Sequence, residues 1–258
     1  MKKALLKLGG RSLEGEAGYA SLGRAMRKLH GCKVAIVHGG GAEISAALKA
    51  AQREAVFVDG LRVTSPQDMA IVEQILSQTV NQRIAGYLRA QGVAVQRLSG
   101  KSDSMLTVVP LLRHGRSLGC VGEVVDVNPE PVRQAWLHDQ VPVISPVSTD
   151  ATGQSYNVNA DAAAGALAGR LQCDDLIYFT DVPGVQVEGE VLMEISVAAA
   201  EKLIVDGVIT GGMVAKMESA FAAIRAGVGR VHITNWQGDG TLVDLLERAE
   251  AQGTAVRG

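Results

Sequence analysis

The chain has 258 residues, enough to bury a large core as one domain or two lobes, and 47% of them are hydrophobic while only 3% are aromatic. Lysine and arginine number 25 against 27 aspartates and glutamates, with the basic residues scattered, which excludes an electrostatic nucleic-acid or anionic-membrane surface and leaves any phosphate affinity to be local. No apolar run reaches the roughly 20 residues that cross a bilayer, and the three distant cysteines and five unpaired histidines point to buried thiols in a reducing cytoplasm and to no protein-bound zinc.

Residues 3 to 8 read as a buried strand ending in Gly9-Gly10, and 15 to 29 have helical composition. The apolar stretch after Met1-Lys2-Lys3 is too short for a signal peptide. Val34 to Val37 form a second strand, broken by His38-Gly39-Gly40-Gly41, and Ala42 to Ala51 follow as a helix with Glu43 and Ser45 in its first turn. Strand, glycine turn, helix is the unit whose amides cradle anions, and it occurs twice within the first 52 residues.

The stretch 57 to 64 predicts a hairpin around Asp59-Gly60. Pro66 opens a long helix through about Ala90, and Val93 to Leu98 read as the next strand. From 105 to 127 the pattern is β-rich, with a turn at Arg113-His114-Gly115-Arg116, which predicts a projecting hairpin able to fold over a substrate. A helix at 129 to 137 and a strand at 141 to 144 resume the alternation.

Asn159 is placed to cap the alanine-rich helix that follows it, with Asp161 in the first turn, while Asn157 lies outside the cap and is left for binding. Beyond it come a strand at 175 to 180, the turn Asp181-Val182-Pro183-Gly184, a small hairpin around Glu188-Gly189 and a helix from Ser196. Thr210 is expected to cap a helix over 211 to 226, closed by Gly227; a strand at 231 to 234, a helix at 241 to 249 and a short final strand complete the chain. Repeated βα units imply a mostly parallel sheet covered on both faces, with ligands outside the carboxyl ends of the strands. The two lobes are expected to share one sheet and to meet near 145 to 175.

Familiar nucleotide motifs fail on inspection. Gly39-Gly40-Gly41 does not complete a dinucleotide fingerprint because position 44 is isoleucine, and Gly100-Lys101-Ser102 lacks the glycine a phosphate loop needs at 95. The G-x-S-x-G letters of Gly115 to Gly119 fall within the β-rich stretch and not between a strand and a helix, so serine chemistry has no elbow to stand on. What remains is charge. Lys7 sits at a strand end and Lys216 on the rim of its helix, about 100° from the centre of the apolar face. Two lysines can neutralise a transferring phosphoryl group, and a carboxylate between them, for which Asp161 is the candidate, holds both in place.

With these residues in hand the chain resembles the N-acetyl-L-glutamate kinases of the amino-acid kinase superfamily over essentially its whole length. The resemblance runs through Lys7-Leu8-Gly9-Gly10, His38-Gly39-Gly40-Gly41, Asp59 to Thr64, Asn157 to Asp161, Thr180 to Gly184, and Gly211-Gly212-Met213 with Lys216. It implies a three-layer αβα sandwich, with residues 1-170 binding the acyl amino acid and forming a homodimer, and 171-258 binding ATP with Mg2+ held by the nucleotide. Carried over by motif, Gly40 and Gly41 bind substrate by backbone amides, Arg62 pairs with its α-carboxylate and Asn157 hydrogen-bonds it. Lys7 and Lys216 stabilise the transition state with Asp161 organising them. Gly9, Gly10, Asp181, Val182, Pro183, Gly184, Val185, Gln186, Val208, Ile209 and Thr210 line the nucleotide site.

The reaction so implied is ATP-dependent phosphorylation of the γ-carboxylate of N-acetyl-L-glutamate in arginine synthesis. A kinase of the same fold acting on carrier-linked aminoadipate or glutamate in lysine synthesis is the alternative. A non-catalytic amino-acid or nucleotide sensor is the alternative of another class, which the two lysines and Asp161 disfavour because binding alone does not require them. Arginine-inhibited relatives resemble each other in an extra N-terminal helix; with six residues before Lys7, an arginine-insensitive homodimer is expected.

Overall fold

A computed structural model describes residues 1–9, 13, 15–248 and 252–258. The candidate nucleotide residue Gly10 lies outside the described residues. β1 (Lys2–Leu8) leads to α1 (Gly15–Lys28), and β2 (Cys32–His38) leads through its glycine turn to α2 (Gly41–Ala50). β3 (Phe57–Val58) and β4 (Leu61–Arg62) pair as a hairpin whose turn residues Asp59 and Gly60 take positive φ, 49° and 77°. Ser65 caps α3 (Pro66–Glu73), its hydroxyl accepting from the Asp68 amide. This helix continues through a π-helical segment, Gln74–Val80, into α4 (Asn81–Ala90), and β5 (Val95–Ser99) follows.

β6 (Leu106–Arg113) and β7 (Arg116–Val127) make the long hairpin, followed by α5 (Glu130–Leu137), β8 (Val141–Ser145), β9 (Val147–Thr149), β10 (Ser155–Val158) and α6 (Ala160–Leu171). Then come β11 (Asp175–Phe179), the small hairpin of β12 (Gln186–Val187) and β13 (Glu190–Val191), and β14 (Glu194–Ser196). The chain ends with α7 (Val197–Val205), α8 (Gly212–Arg225), β15 (Arg230–Thr234), α9 (Thr241–Val243) with a π-helical turn at Asp244–Arg248, and β16 (Thr254–Arg257).

Eight strands form one sheet in the order β14-β16-β15-β11-β1-β2-β8-β5, parallel throughout except where β16 meets β15. The two halves of the chain therefore share a sheet, joined where β1 pairs with β11. Helices cover both faces. Side chains alternate along each strand, so Leu5, Val37, Leu176 and Tyr178 belong to the core under α6 and α8, while Leu6, Leu8, Ile36 and Phe179 belong to the core under α1 and α4. Lys7 falls on the same face as Leu5, the α6 side.

Two expectations are corrected. Residues 105 to 127 do form a hairpin, but its base does not project: β6 and β7 close with β9 and β10 into a small barrel. Thr210 does not cap α8. The cap position is Gly211 at φ 60°, with no side-chain bond to the helix, because the chain enters through a left-handed turn that favours glycine.

Candidate active site

The turns after β1, β2 and β11 lie side by side at the carboxyl edge of the sheet: the Gly9 amide donates to Phe179 O at 3.1 Å and the Gly39 amide to Leu8 O at 2.9 Å. A cleft of about 200 Å3 opens there, lined by Lys7, Gly39 to Gly41, Arg62, Asn157 and Asn159 to Asp161 among others. A larger hollow of about 720 Å3, between the β6–β7 hairpin and the helices α6 and α8, shares Leu61, Asn159 and Asp161 with it.

Asp161 sits where the two hollows join. Asn159 caps α6, its side-chain oxygen accepting from the amides of Asp161 and Ala162 at 2.9 and 3.1 Å. That cap fixes the first turn and aims the Asp161 carboxylate at both lysines. Oδ1 lies 2.8 Å from Lys7 Nζ and Oδ2 lies 2.9 Å from Lys216 Nζ. The rim lysine of α8 is thus turned inward, and the three side chains are only 11 to 14% exposed, so little water screens them. Burial pulls the Lys7 ammonium below the usual lysine range and Lys216 adds to this, while Asp161 opposes both. Burial by itself would raise the Asp161 carboxyl, but the two ammonium groups prevail and hold it below the usual carboxylate range. The arrangement is a pair of cations kept side by side by one anion, one positive charge in excess.

Across the cleft, α2 starts at the glycine turn without a side-chain cap, leaving its first amides outside the helix ladder. Gly40 is required by close approach: a Cβ there would meet Leu76 Cδ2 at 2.7 Å, in the π-helical segment. Arg62 is 8% exposed, packs 4.7 Å above the Phe57 ring and donates from Nη2 to Gly41 O at 2.9 Å and Ser45 Oγ at 2.8 Å. Its Nη1 is buried without a partner. Burial lowers the Arg62 pKa, with Asp68 opposing. A guanidinium left half-paired in a cleft is ready for an incoming carboxylate. Asn157 Nδ2 lies 3.3 Å from Thr64 Oγ1. Thr64 is in turn pinned to β7, its amide donating to Leu118 O and its carbonyl accepting from the Cys120 amide. Gly119 allows this, at φ 76° and with no room for a Cβ against Thr64 O. The tips of the two hairpins also touch, His114 Nε2 lying 3.0 Å from Asp59 Oδ2.

The remaining candidates divide. Asp181 is exposed beyond β11 and its charge reaches Lys7, favouring the protonated lysine. Gln186, Val208 and Thr210 are exposed and Val182 and Pro183 partly so. Val185 and Ile209, 1% and 3% exposed, belong to the core, so only their backbones can face a nucleotide. Gly184 is buried between Thr254 and Val191.

Sequence reasoning assigns no role to three supporting groups. Tyr178 donates to Asp161 O, Thr64 steadies Asn157, and His38 anchors the glycine turn from the sheet's other face. The His38 ring contacts Gly39 O through Nδ1 at 2.8 Å and Asn81 Nδ2 through Nε2 at 3.1 Å, and Asn81 also donates to Val143 O and accepts from Arg97. This network makes Nδ1 the donor to Gly39 and Nε2 the acceptor. Burial holds the imidazole pKa down to about 4 from its ordinary 6.5, so it is neutral. The unfolded chain takes up this proton near pH 6.5 and the folded chain only near 4; the stability His38 supplies is whole above the first value and lost as pH falls to the second. The loss amounts to roughly 3 kcal/mol. Urea midpoints between pH 7.5 and 4.5 should therefore fall more steeply for the wild type than for His38→Asn, and equal slopes would contradict the assignment.

Burial pushes the thiol of the partly buried Cys32 up to about 11 and that of the core residue Cys173 up to about 12, which leaves both unreactive. Among the described residues no three His, Cys, Asp or Glu side chains gather as a cation site, and no helix is long and apolar enough to cross a membrane.

Residues 2–235 match the amino acid kinase family. An acetylglutamate kinase of Chloroflexus aggregans is 42% identical over 235 residues, 91% of this chain and 92% of the relative. One from Geobacillus stearothermophilus is 39% identical over 258 residues, covering 99% of this chain and 96% of its own. The crystal structure of smu.665 from Streptococcus mutans UA159 superposes with a TM-score of 0.81 at 31% identity, covering 99% of this chain and 98% of that one.

Proposed function

The chain belongs to the amino acid kinase family, and from that premise we propose that it transfers the terminal phosphoryl group of ATP to the γ-carboxylate of N-acetyl-L-glutamate, the acetylglutamate kinase step of arginine synthesis. The observation that carries the chemistry is the pair of buried ammonium groups bridged by Asp161 at the mouth of the cleft.

The acceptor carboxylate is ionised at neutral pH and needs no general base. The difficulty is repulsion: an anion must approach a phosphate. Lys7 and Lys216 offset this charge as it builds on the transferring and leaving oxygens, and Asp161 keeps both protonated and close. The carboxylate oxygen attacks phosphorus in line, the bond to the ADP oxygen breaks, and an acyl phosphate and ADP result. Mg2+ brought in by the nucleotide would neutralise phosphate charge.

Arg62, with Nη1 unpaired, would take the substrate's α-carboxylate, the amides at Gly40 and Gly41 and the Asn157 side chain adding hydrogen bonds. Gly9, Asp181 to Gln186 and Val208 to Thr210 would face the nucleotide. This assigns the acyl amino acid to residues 1-170, which supply every residue of the smaller cleft, and ATP chiefly to 171-258. A cytoplasmic homodimer is the assembly we propose, checked by sedimentation of the purified protein.

The test is direct. Purified protein with ATP, Mg2+ and N-acetyl-L-glutamate should form an acyl phosphate that hydroxylamine traps as a hydroxamate; no hydroxamate from the free amino acid derivative would overturn the reading. In the same assay Arg62→Ala should raise KM for N-acetyl-L-glutamate roughly 10- to 100-fold, the value of a charge-assisted pair, and leave kcat nearly unchanged.

A further inference from the structure

Tyr178 has no exposed surface, and in β11 it stands in register beside Lys7. The Lys216 ammonium lies over its ring, 5.6 Å from the centroid. Its hydroxyl donates to the backbone carbonyl of Asp161 at 3.2 Å. One side chain therefore touches both the second lysine and the turn that carries the bridging carboxylate. A leucine could fill much of this space and complete the core, but it would offer Lys216 no negative ring face and Asp161 no donor. The ring face attracts a cation most where water is scarce, and the Lys216 side chain is only 12% exposed.

We propose that Tyr178 is a positioning residue for phosphoryl transfer: its ring keeps the Lys216 ammonium aimed at the cleft. The proposal rests on the kinase reading for its kinetic consequences alone. The groups that face Lys216 are Asp161 from α6, Lys7 from β1 behind that carboxylate, and Tyr178 from β11. Glu218 on its own helix is two residues on, about 200° round the axis. Burial, and then the Asp161 charge, hold the Tyr178 phenol far above its usual range, so the ring beside the ammonium carries no phenolate charge.

The test varies the ring without changing its volume much. Tyr178→Phe and a graded series of fluorinated phenylalanines at 178, which progressively drain the ring face of electron density, are prepared in the full chain. The first readout needs no substrate. Trace acetic anhydride labels Lys216 at one fixed pH, and peptide mass spectrometry gives its acylation rate. Tyr178→Phe should leave that rate at the wild-type value, and full fluorination, which loosens the ammonium, should raise it roughly 2- to 5-fold. In the second readout, kcat should fall roughly 3- to 10-fold along the series, with KM and the thermal midpoint held. A labelling rate indifferent to fluorination overturns the proposal. So does a loss in Tyr178→Phe as large as in the fluorinated chains, which would place the whole effect in the hydroxyl. A wild type without turnover sinks the kinase reading instead, and the labelling series still decides the role of Tyr178.

Discussion

Replacing either Lys7 or Lys216 by alanine is expected to lower kcat by roughly 100- to 1000-fold, the usual cost of removing one preorganised donor from a developing charge. The geometry says why the loss should appear in kcat. Each ammonium is held by Asp161 at the join of the two hollows. It therefore acts on the transferring group more than on the bound ground state, and KM for N-acetyl-L-glutamate should change little. Neither variant should unfold, because Asp161 keeps one partner. Arginine is not an adequate substitute at either place: its planar fork cannot reproduce a compact point charge 2.8 or 2.9 Å from a single carboxylate. Steady-state kinetics beside thermal melts check this, and losses under tenfold in both variants would show that the lysines are not the charges that matter.

Asp161→Ala should be the most damaging single change, in stability as well as rate. It strands two buried ammonium groups, and removing one partner from a buried ion pair costs about 3 to 5 kcal/mol. The pH dependence identifies the mechanism. In the wild type the Asp161 carboxyl titrates below its ordinary range, so its contribution is present at neutral pH and disappears only in acid. In the variant, only the more distant charge of Asp181 opposes the burial and the neighbouring ammonium that already lower Lys7. The unfolded chain then binds more protons than the folded one as pH approaches the ordinary lysine value, and stability rises with pH. Urea unfolding at pH 7 and 9.5 should show the deficit of Asp161→Ala narrowing at the higher pH. A deficit that stays constant would attribute the damage to lost packing or helix dipole.

The convergence of Lys7, Asp161 and Lys216 can be read in the sequence because it follows from charge: two cations near a phosphate need an anion between them, and the Asn159 cap puts Asp161 where that anion is useful. The gathering of the glycine turns at one edge is legible for a similar reason, each βα unit placing its turn at the carboxyl ends of the strands. Other features leave no local trace. All five residues of β11 are buried, so no alternation distinguishes the face on which Tyr178 meets Lys216 from the face of Phe179. β9 has three residues and β10 four, too short for a pattern, and their barrel exists only through pairing with distant partners. The π-helical segment, Gln74–Val80, lies within one unbroken helical stretch and has no glycine or proline to mark it. His38 looks like a turn residue until Asn81, 43 positions later, is seen against its ring.

The placement of β1 has a bearing on how the molecule is made. It leaves the ribosome well before one of its two neighbours, β11, which begins at Asp175. Through most of translation that flank of the strand has no hydrogen-bonding mate, and an open flank invites association between nascent chains. Lys7 therefore spends this interval without Tyr178 beside it and without the second amine, which is added last of the three. The nascent chain can acquire most of its core well before it can perform any chemistry.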